Sequence, residues 1–112
     1  MILKEKIAAQ LPEWRARVRK LVGENGDVVV DQVTVKQIYG GMRSAKVLVT
    51  DISYVDPNEG IRFRGYTIPE LLKLLPKAEG SKFPLAGSLF YLLLVGEIPS
   101  FAEAMEVENA WK

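Results

Sequence analysis

Apolar positions in the first part of the chain fall on one helical stripe. Leu3, Ile7, Leu11, Trp14, Val18 and Leu21 recur at spacings of three and four, the period that brings side chains to a common face. The pattern predicts a helix from about Leu3 to Val22. Pro12 lies inside it, where a proline removes a backbone donor and crowds the preceding turn. The expectation is a kink there, or two consecutive helices. Gly23 and the pair Asn25-Gly26 supply the stop, because both residue types tolerate positive φ.

The pattern then shortens. Val28–Val30 is a β-prone run that reads as a lone extended segment. Thr34 and Gln37 have the spacing of a capping box and open a short helix that Gly40-Gly41 ends. Lys46–Tyr54 is rich in β-branched residues and reads as a strand. Asp56-Pro57-Asn58-Glu59-Gly60 is a turn cluster, and Ile61-Arg62-Phe63-Arg64 alternates apolar and charged, as a half-exposed strand does. Together these predict a β-hairpin, which must pack on helices because an isolated hairpin is marginal in water.

Three more helices follow. Thr67 and Glu70 make a second capping box, with Pro69 in the first turn where its missing donor costs little. The helix carries Leu71, Leu72, Leu74 and Leu75 and ends before Pro76. After a polar loop over Lys77–Lys82, Ala86–Val95 is a helix apolar nearly all round, ended by Gly96 and Pro99. Ser100 and Glu103 form a third capping box before an amphipathic helix, Phe101–Trp111, with Phe101, Met105, Val107 and Trp111 as expected contacts. The fold class is mainly α with one small β-hairpin, and residues 1–112 form a single unit without repeats or an internal boundary. A helix apolar on all sides needs cover on all sides. The short elements around Leu89–Val95 offer little, so the chain is expected to pack against something else.

Composition narrows the function classes. The 112 residues suffice for one small core, and the apolar and charged shares are those of an ordinary globular chain. A net charge of +1 gives no electrostatic reason to expect nucleic acid or an anionic membrane as partner. Without cysteine or histidine there is no disulfide framework, and a zinc site would have to be built from carboxylates alone, so no metal is expected. The longest apolar run, Leu89–Val95, is far below the roughly 20 residues that span a bilayer. No targeting segment is visible, and the cytoplasm or another reducing intracellular compartment is the expected location.

Candidate chemistry is sparse. In Gly40-Gly41-Met42-Arg43 two glycines let the backbone turn sharply and bring an arginine to the surface, where its fork of donors suits a phosphate or carboxylate. The plain alternative is a helix stop followed by a solvated arginine. Arg62 and Arg64 flank Phe63 on the predicted hairpin, either as a two-pronged anion clamp or paired with carboxylates such as Asp56 and Glu59. Arg15, Arg17, Arg19 and Lys20 surround Trp14 and read as the solvated side of the first helix, since they do not share one narrow face. Without histidine or cysteine no Ser–His or Cys–His couple exists. Asp51 and Asp56 lie beside no obvious nucleophile or oxyanion donor, and no phosphate-cradling glycine loop is present. No catalytic residue is assigned.

The strings YGGMR at Tyr39–Arg43, DPNEGIRFRGYTIPE at Asp56–Glu70 and GSLFYLLLVGEIP at Gly87–Pro99, in this order and spacing, resemble the N-terminal region of citrate synthase in the form found in eukaryotes and some bacteria. The resemblance runs from the first helix to the last residue. It implies the N-terminal part of the all-α citrate synthase fold, in an enzyme that condenses acetyl-CoA with oxaloacetate to give citrate and coenzyme A. It implies Arg43 as a contact to the phosphates of coenzyme A, the substrate of the parent family, with no covalently bound cofactor. The family typically has glycines where Ser44 and Val47 stand. The two histidines and the aspartate of the family's reaction, and the arginines that bind oxaloacetate, belong to later parts of its sequence and have no counterpart here. The chain is therefore expected to be inactive unless complemented. Its expected partners are the remainder of a citrate synthase or a complementary subunit, with self-association as a further option. The ending ENAWK, without a glycine or proline stop, favours a truncated chain. The alternative is a stand-alone binding, regulatory or oligomerisation module derived from the same N-terminal architecture.

Overall fold

The computed structural model describes residues 1–112. Five helices and a three-stranded antiparallel sheet follow in the order α1 (Ile2–Asn25), α2 (Val35–Tyr39), β1 (Ser53–Asp56), β2 (Gly60–Phe63), β3 (Tyr66–Thr67), α3 (Ile68–Leu74), α4 (Ala86–Val95) and α5 (Phe101–Ala110). The mainly α class with a small sheet is as the sequence predicts. No helix is long and apolar enough to cross a membrane.

All three capping boxes form. The side chains of Thr34, Thr67 and Ser100 accept from the backbone N–H of Gln37, Glu70 and Glu103, and those residues' side chains accept from the cap N–H in return. Each exchange satisfies two donors that the first turn leaves orphaned. The first helix differs from expectation. It passes through Pro12 as one element rather than as two helices, and it ends on Gly26 at φ −60, so the positive φ available to glycine is not used.

The sheet also differs. The predicted strand Lys46–Tyr54 is mostly not a strand: pairing begins at Ser53, opposite Phe63, and runs to Asp56 opposite Gly60. β-Propensity alone does not make a strand, because backbone groups need a partner, and β2 offers only four residues. Val47, Leu48 and Val49 are left exposed, as are Val28–Val30. The hairpin turn is the one expected: the Asp56 carboxylate accepts from the N–H of Asn58 (2.8 Å) and Glu59 (2.9 Å), and Gly60 takes φ +87. A second tight turn was not foreseen. Arg64 and Gly65, at φ +49 and +86, form a two-residue connection with both φ positive, as a type I′ hairpin requires. It adds β3 through the pairs Phe63↔Tyr66 and Arg62↔Thr67.

Helix α4 organises the core. Tyr91 and Val95 pack with Leu3, Val107 and Ile7 on one side. Leu92 packs with Leu71 and Leu75, flanked by Phe63, Tyr66, Leu89 and Ile98, on the other. This explains its all-round apolar character, although Phe90 and Leu94 remain 40% and 43% exposed. Helix α5 approaches closely because small residues line the crossing: a Cβ on Gly87 would lie 2.8 Å from the carbonyl oxygen of Ala104. The buried positions of α5 are Ala104 and Val107. Phe101 and Trp111, expected contacts, are about half exposed, and Trp111 meets Phe90 in a T-shaped pair with centroids 5.2 Å apart.

The cover ends there. Only 11 of 112 residues are buried. The α1 stripe is covered at Leu3 and Ile7, whereas Trp14 and Leu21 are 50% and 62% exposed. The radius of gyration is 18.2 Å over extents of 53 × 35 × 23 Å, against roughly 13 Å for a compact domain of this length.

Candidate functional site

The sequence points to Gly40-Gly41-Met42-Arg43, and the structure shows how it is built. Helix α2 ends on Gly40, whose N–H donates to the Lys36 carbonyl at 2.9 Å. The chain then reverses through Gly41 (φ +74), Met42 (φ +59) and Ser44 (φ +63). The N–H of Met42 returns to the Gln37 carbonyl at 2.7 Å, and that of Ala45 to Met42 at 3.0 Å. Two side chains from outside complete the frame. Gln37 donates from Nε2 to the Arg43 carbonyl at 3.2 Å, and Asp31 accepts from the N–H of Lys46 at 2.9 Å. The Asp31 carboxyl is held below its ordinary range by that N–H and by the N–H of Gln32. Arg43 itself is exposed. Its guanidinium makes no ion pair and no side-chain hydrogen bond, so its donors are available. Ser44 takes the positive φ that suits glycine, at a cost of roughly 1–2 kcal/mol for an L-residue.

Neither Gln37 nor Asp31 stood out as part of this loop in the sequence. The spacing from Thr34 marks Gln37 as a helix cap and nothing more, and Asp31 lies 15 residues from the amide it holds, a separation with no local signature.

The other basic candidates do not converge. Arg62 and Arg64 form no clamp, because Arg64 lies in the turn and not on the strand. Arg62 donates to the carbonyl of Gly65 and to Glu59, both at 3.1 Å. Arg64 donates from Nε and Nη2 to the Leu93 carbonyl at 3.1 and 2.6 Å, reaches the Leu94 carbonyl at 3.4 Å, and pairs with Asp51 at 3.3 Å. It thus satisfies carbonyls that the end of α4 leaves open and places a cation at the helix C-terminus. Asp51 and Asp56, the nominal bases, are engaged by this pair and by the hairpin turn. Arg15, Arg17, Arg19 and Lys20 are all exposed on α1.

A second polar cluster was not anticipated. Lys6 lies 2.7 Å from Glu97 and 3.3 Å from Glu103, with its ammonium 5.4 Å from the centre of the Tyr91 ring. The fully buried Tyr91 donates its hydroxyl to Glu103 at 2.9 Å. The Glu103 carboxyl is pushed from 4.5 to about 2, chiefly by the Ser100 N–H, with Tyr91, the Ser100 hydroxyl and Lys6 adding to it against burial. Burial raises the Tyr91 phenol. This cluster joins α1 to the α4–α5 pair. Its hydroxyls and its ammonium are all engaged with Glu97 or Glu103, and no group of three or more potential metal-ligating residues occurs in the structure.

Comparison with known proteins decides the family. A family model described as citrate synthase, C-terminal domain, matches residues 41–112. The chain belongs to the citrate synthase family. It is 47% identical over 109 residues to the probable citrate synthase, mitochondrial, of Caenorhabditis briggsae. It is 50% identical, over the same number of residues, both to the citrate synthase, mitochondrial, of Neurospora crassa and to the 2-methylcitrate synthase, mitochondrial, of Yarrowia lipolytica. Each match covers 97% of this chain and 23% of the relative, so the chain spans about a quarter of the length of these relatives. Their names also correct the expected location. They are mitochondrial proteins, which points away from the cytoplasm. The absence of thiols, on which that expectation partly rested, does not distinguish one reducing compartment from another.

Proposed function

We propose that the chain is a segment of a citrate synthase that supplies the Arg43 contact to coenzyme A but no catalytic group, with the remainder of such an enzyme as its partner. The observation that carries this reading is the loop itself: an unpaired, exposed guanidinium on a backbone fixed by Gln37 and Asp31. A fork of donors without an internal partner suits phosphate. The relatives' names include both citrate and 2-methylcitrate synthases. These products differ by one methyl group, and a contact to the coenzyme A phosphates fits either acyl donor.

Inactivity of the chain alone follows from its chemistry. Removing a proton beside a thioester carbonyl needs a placed base and an electrophile. The sequence has no histidine, and its structured carboxylates cap turns and helices or pair with cations. The order of the motifs supports an N-terminal place in the fold, whereas the matched model's description as a C-terminal domain points the other way. Mapping the aligned residues onto a full-length relative decides between the two.

The test places Arg43→Ala in an enzyme of the relatives' full length that carries this segment. Losing one charge-assisted contact costs on the order of 1.5–3 kcal/mol. KM for acetyl-CoA should rise about tenfold or more while that for oxaloacetate barely moves. If neither changes, Arg43 is a solvated helix-end residue; if both rise together, it holds the fold. For the 112-residue chain alone, release of free thiol from acetyl-CoA with oxaloacetate should not exceed a heat-killed control.

A further inference from the structure

We propose that Gln37 is a positioning residue for Arg43, holding the loop in its phosphate-ready shape through the hydrogen bond from Nε2 to the Arg43 carbonyl. The proposal rests on the reading of Arg43 as a coenzyme A contact.

Met42 and Ser44 both adopt positive φ without being glycine. Such conformations persist only where surrounding bonds over-determine them. Packing does little of this, because no residue of the loop is buried: Met42 and Ala45 are partly covered, and Gly40, Gly41, Arg43 and Ser44 are exposed. Hydrogen bonds must do the rest, and Gln37 supplies two of them, one from its backbone carbonyl to Met42 and one from its side chain to Arg43. It is the one side chain bonded to the segment 40–45.

Its amide orientation is set independently. Oε1 accepts from the N–H of Thr34 at 2.9 Å and lies 3.2 Å from the Thr34 hydroxyl. The cap therefore turns Nε2 toward the loop, and one amide links the start of α2 to Arg43, four residues past its last residue Tyr39. A guanidinium whose backbone is already fixed loses less freedom on meeting an anion than one on a loose loop.

Two substitutions separate this role from helix capping. Gln37→Met keeps the length and adds no charge but removes the donor to Arg43 together with the acceptor for the Thr34 N–H, so the control must damage the same cap from its other side. Thr34→Ala weakens the cap without touching that bond. The 112-residue chain and both variants are titrated with coenzyme A, with binding followed by amide NMR shifts of Gly40–Lys46. Hydrogen exchange of the same amides is measured without ligand. Gln37→Met should bind about fivefold more weakly, the equivalent of one neutral hydrogen bond, and exchange faster at Met42–Lys46. Thr34→Ala should stay within about twofold of wild type, since an exposed cap affects the helix start and not the loop. Equal weakening in both variants would trace the effect to a frayed helix and overturn the proposal. Faster exchange with unchanged affinity in Gln37→Met would make Gln37 a structural clamp only, and also overturn it. Arg43→Ala is the control for the underlying reading. If it binds as wild type does, or if wild type shows no shifts at Gly40–Lys46, the coenzyme A assignment fails and the role of Gln37 falls with it. If Arg43→Ala weakens binding and Gln37→Met does not, the assignment stands and only the Gln37 role is lost.

Discussion

Replacing Glu103 with glutamine removes one charge from the joint between α1 and the α4–α5 pair while keeping its shape. One carboxylate oxygen accepts from the Tyr91 hydroxyl and faces Lys6; the other accepts from the N–H and hydroxyl of Ser100 at 2.8 and 2.9 Å. Glutamine can keep the cap, since a capping box takes either residue. Its NH2 must then point at Tyr91 and at the Lys6 ammonium, where an acceptor is needed. The folded carboxyl sits at about 2 against an ordinary 4.5. Because the folded value is the lower one, the stabilisation is present above about pH 4.5 and is lost as pH falls toward 2. The shift corresponds to roughly 3 kcal/mol. The Glu103 side chain is 16% exposed and Lys6 is 36% exposed, and solvent screening lowers the expected contribution to about 1–2 kcal/mol.

The assay is urea unfolding followed by circular dichroism, for both proteins, from about pH 7 downward. Glu103→Gln should be less stable by that amount at neutral pH. The gap should narrow below about pH 4.5 and vanish near pH 2. Asp31, Asp56 and Glu70 are also held below their ordinary values, by backbone N–H groups above all. Their losses in acid occur in both proteins and cancel in the difference. A gap that stays constant from neutral to acid pH would refute the reasoning, because the cost would then come from shape and not from charge.

Other expectations follow from the same geometry. Arg64→Met should destabilise the chain by about 1.5–3 kcal/mol, since it leaves the Leu93 carbonyl without its charged donor; Arg64→Lys should fall between, and urea unfolding ranks the three. Ser44→Gly should slow exchange of the Met42–Lys46 amides and stabilise the loop by about 0.5–1 kcal/mol, because φ +63 is open to glycine without strain. The isolated chain should associate as its concentration rises, given the exposed Phe90, Leu94, Val28–Val30 and Val47–Val49. Light scattering on a dilution series measures this, and a monodisperse monomer throughout would contradict it.

The local part of the fold was legible in the sequence. Thr34/Gln37, Thr67/Glu70 and Ser100/Glu103 each complete a bond within three residues, so spacing alone identifies them. The Asp56–Gly60 turn is local in the same sense. What failed depended on partners. Lys46–Ile52 has strand composition but no neighbouring strand. Alternation continues through Arg64 and predicts it on a strand face, whereas the I′ turn directs it toward the end of α4. Ala104 and Gly87 were missed as contacts because hydrophobicity marks large side chains, and a close helix crossing is made by small ones. At the candidate site the sequence gives up Arg43 through its glycines. It hides Gln37, whose visible role as a cap conceals the other end of its amide.

The distribution of cover along the chain bears on why that amide matters. Cover is thick where α4 meets α3, α5, the hairpin and the first turns of α1, and thin over the second half of α1, Val28–Val30 and Val47–Val49. The Arg43 loop lies within the thin region. A loop in a packed setting keeps its shape because neighbouring side chains exclude the alternatives. Here the alternatives are excluded by two polar side chains, Gln37 on the Arg43 carbonyl and Asp31 on the Lys46 amide. Exposed hydrogen bonds contribute little individually, and local opening is least costly where burial is least. The loop should therefore be the first structured segment to open and the one most stiffened when the rest of a citrate synthase fold covers it. On this reading, joining the chain to the remainder of such an enzyme tightens the Arg43 contact even if no residue of that remainder touches coenzyme A.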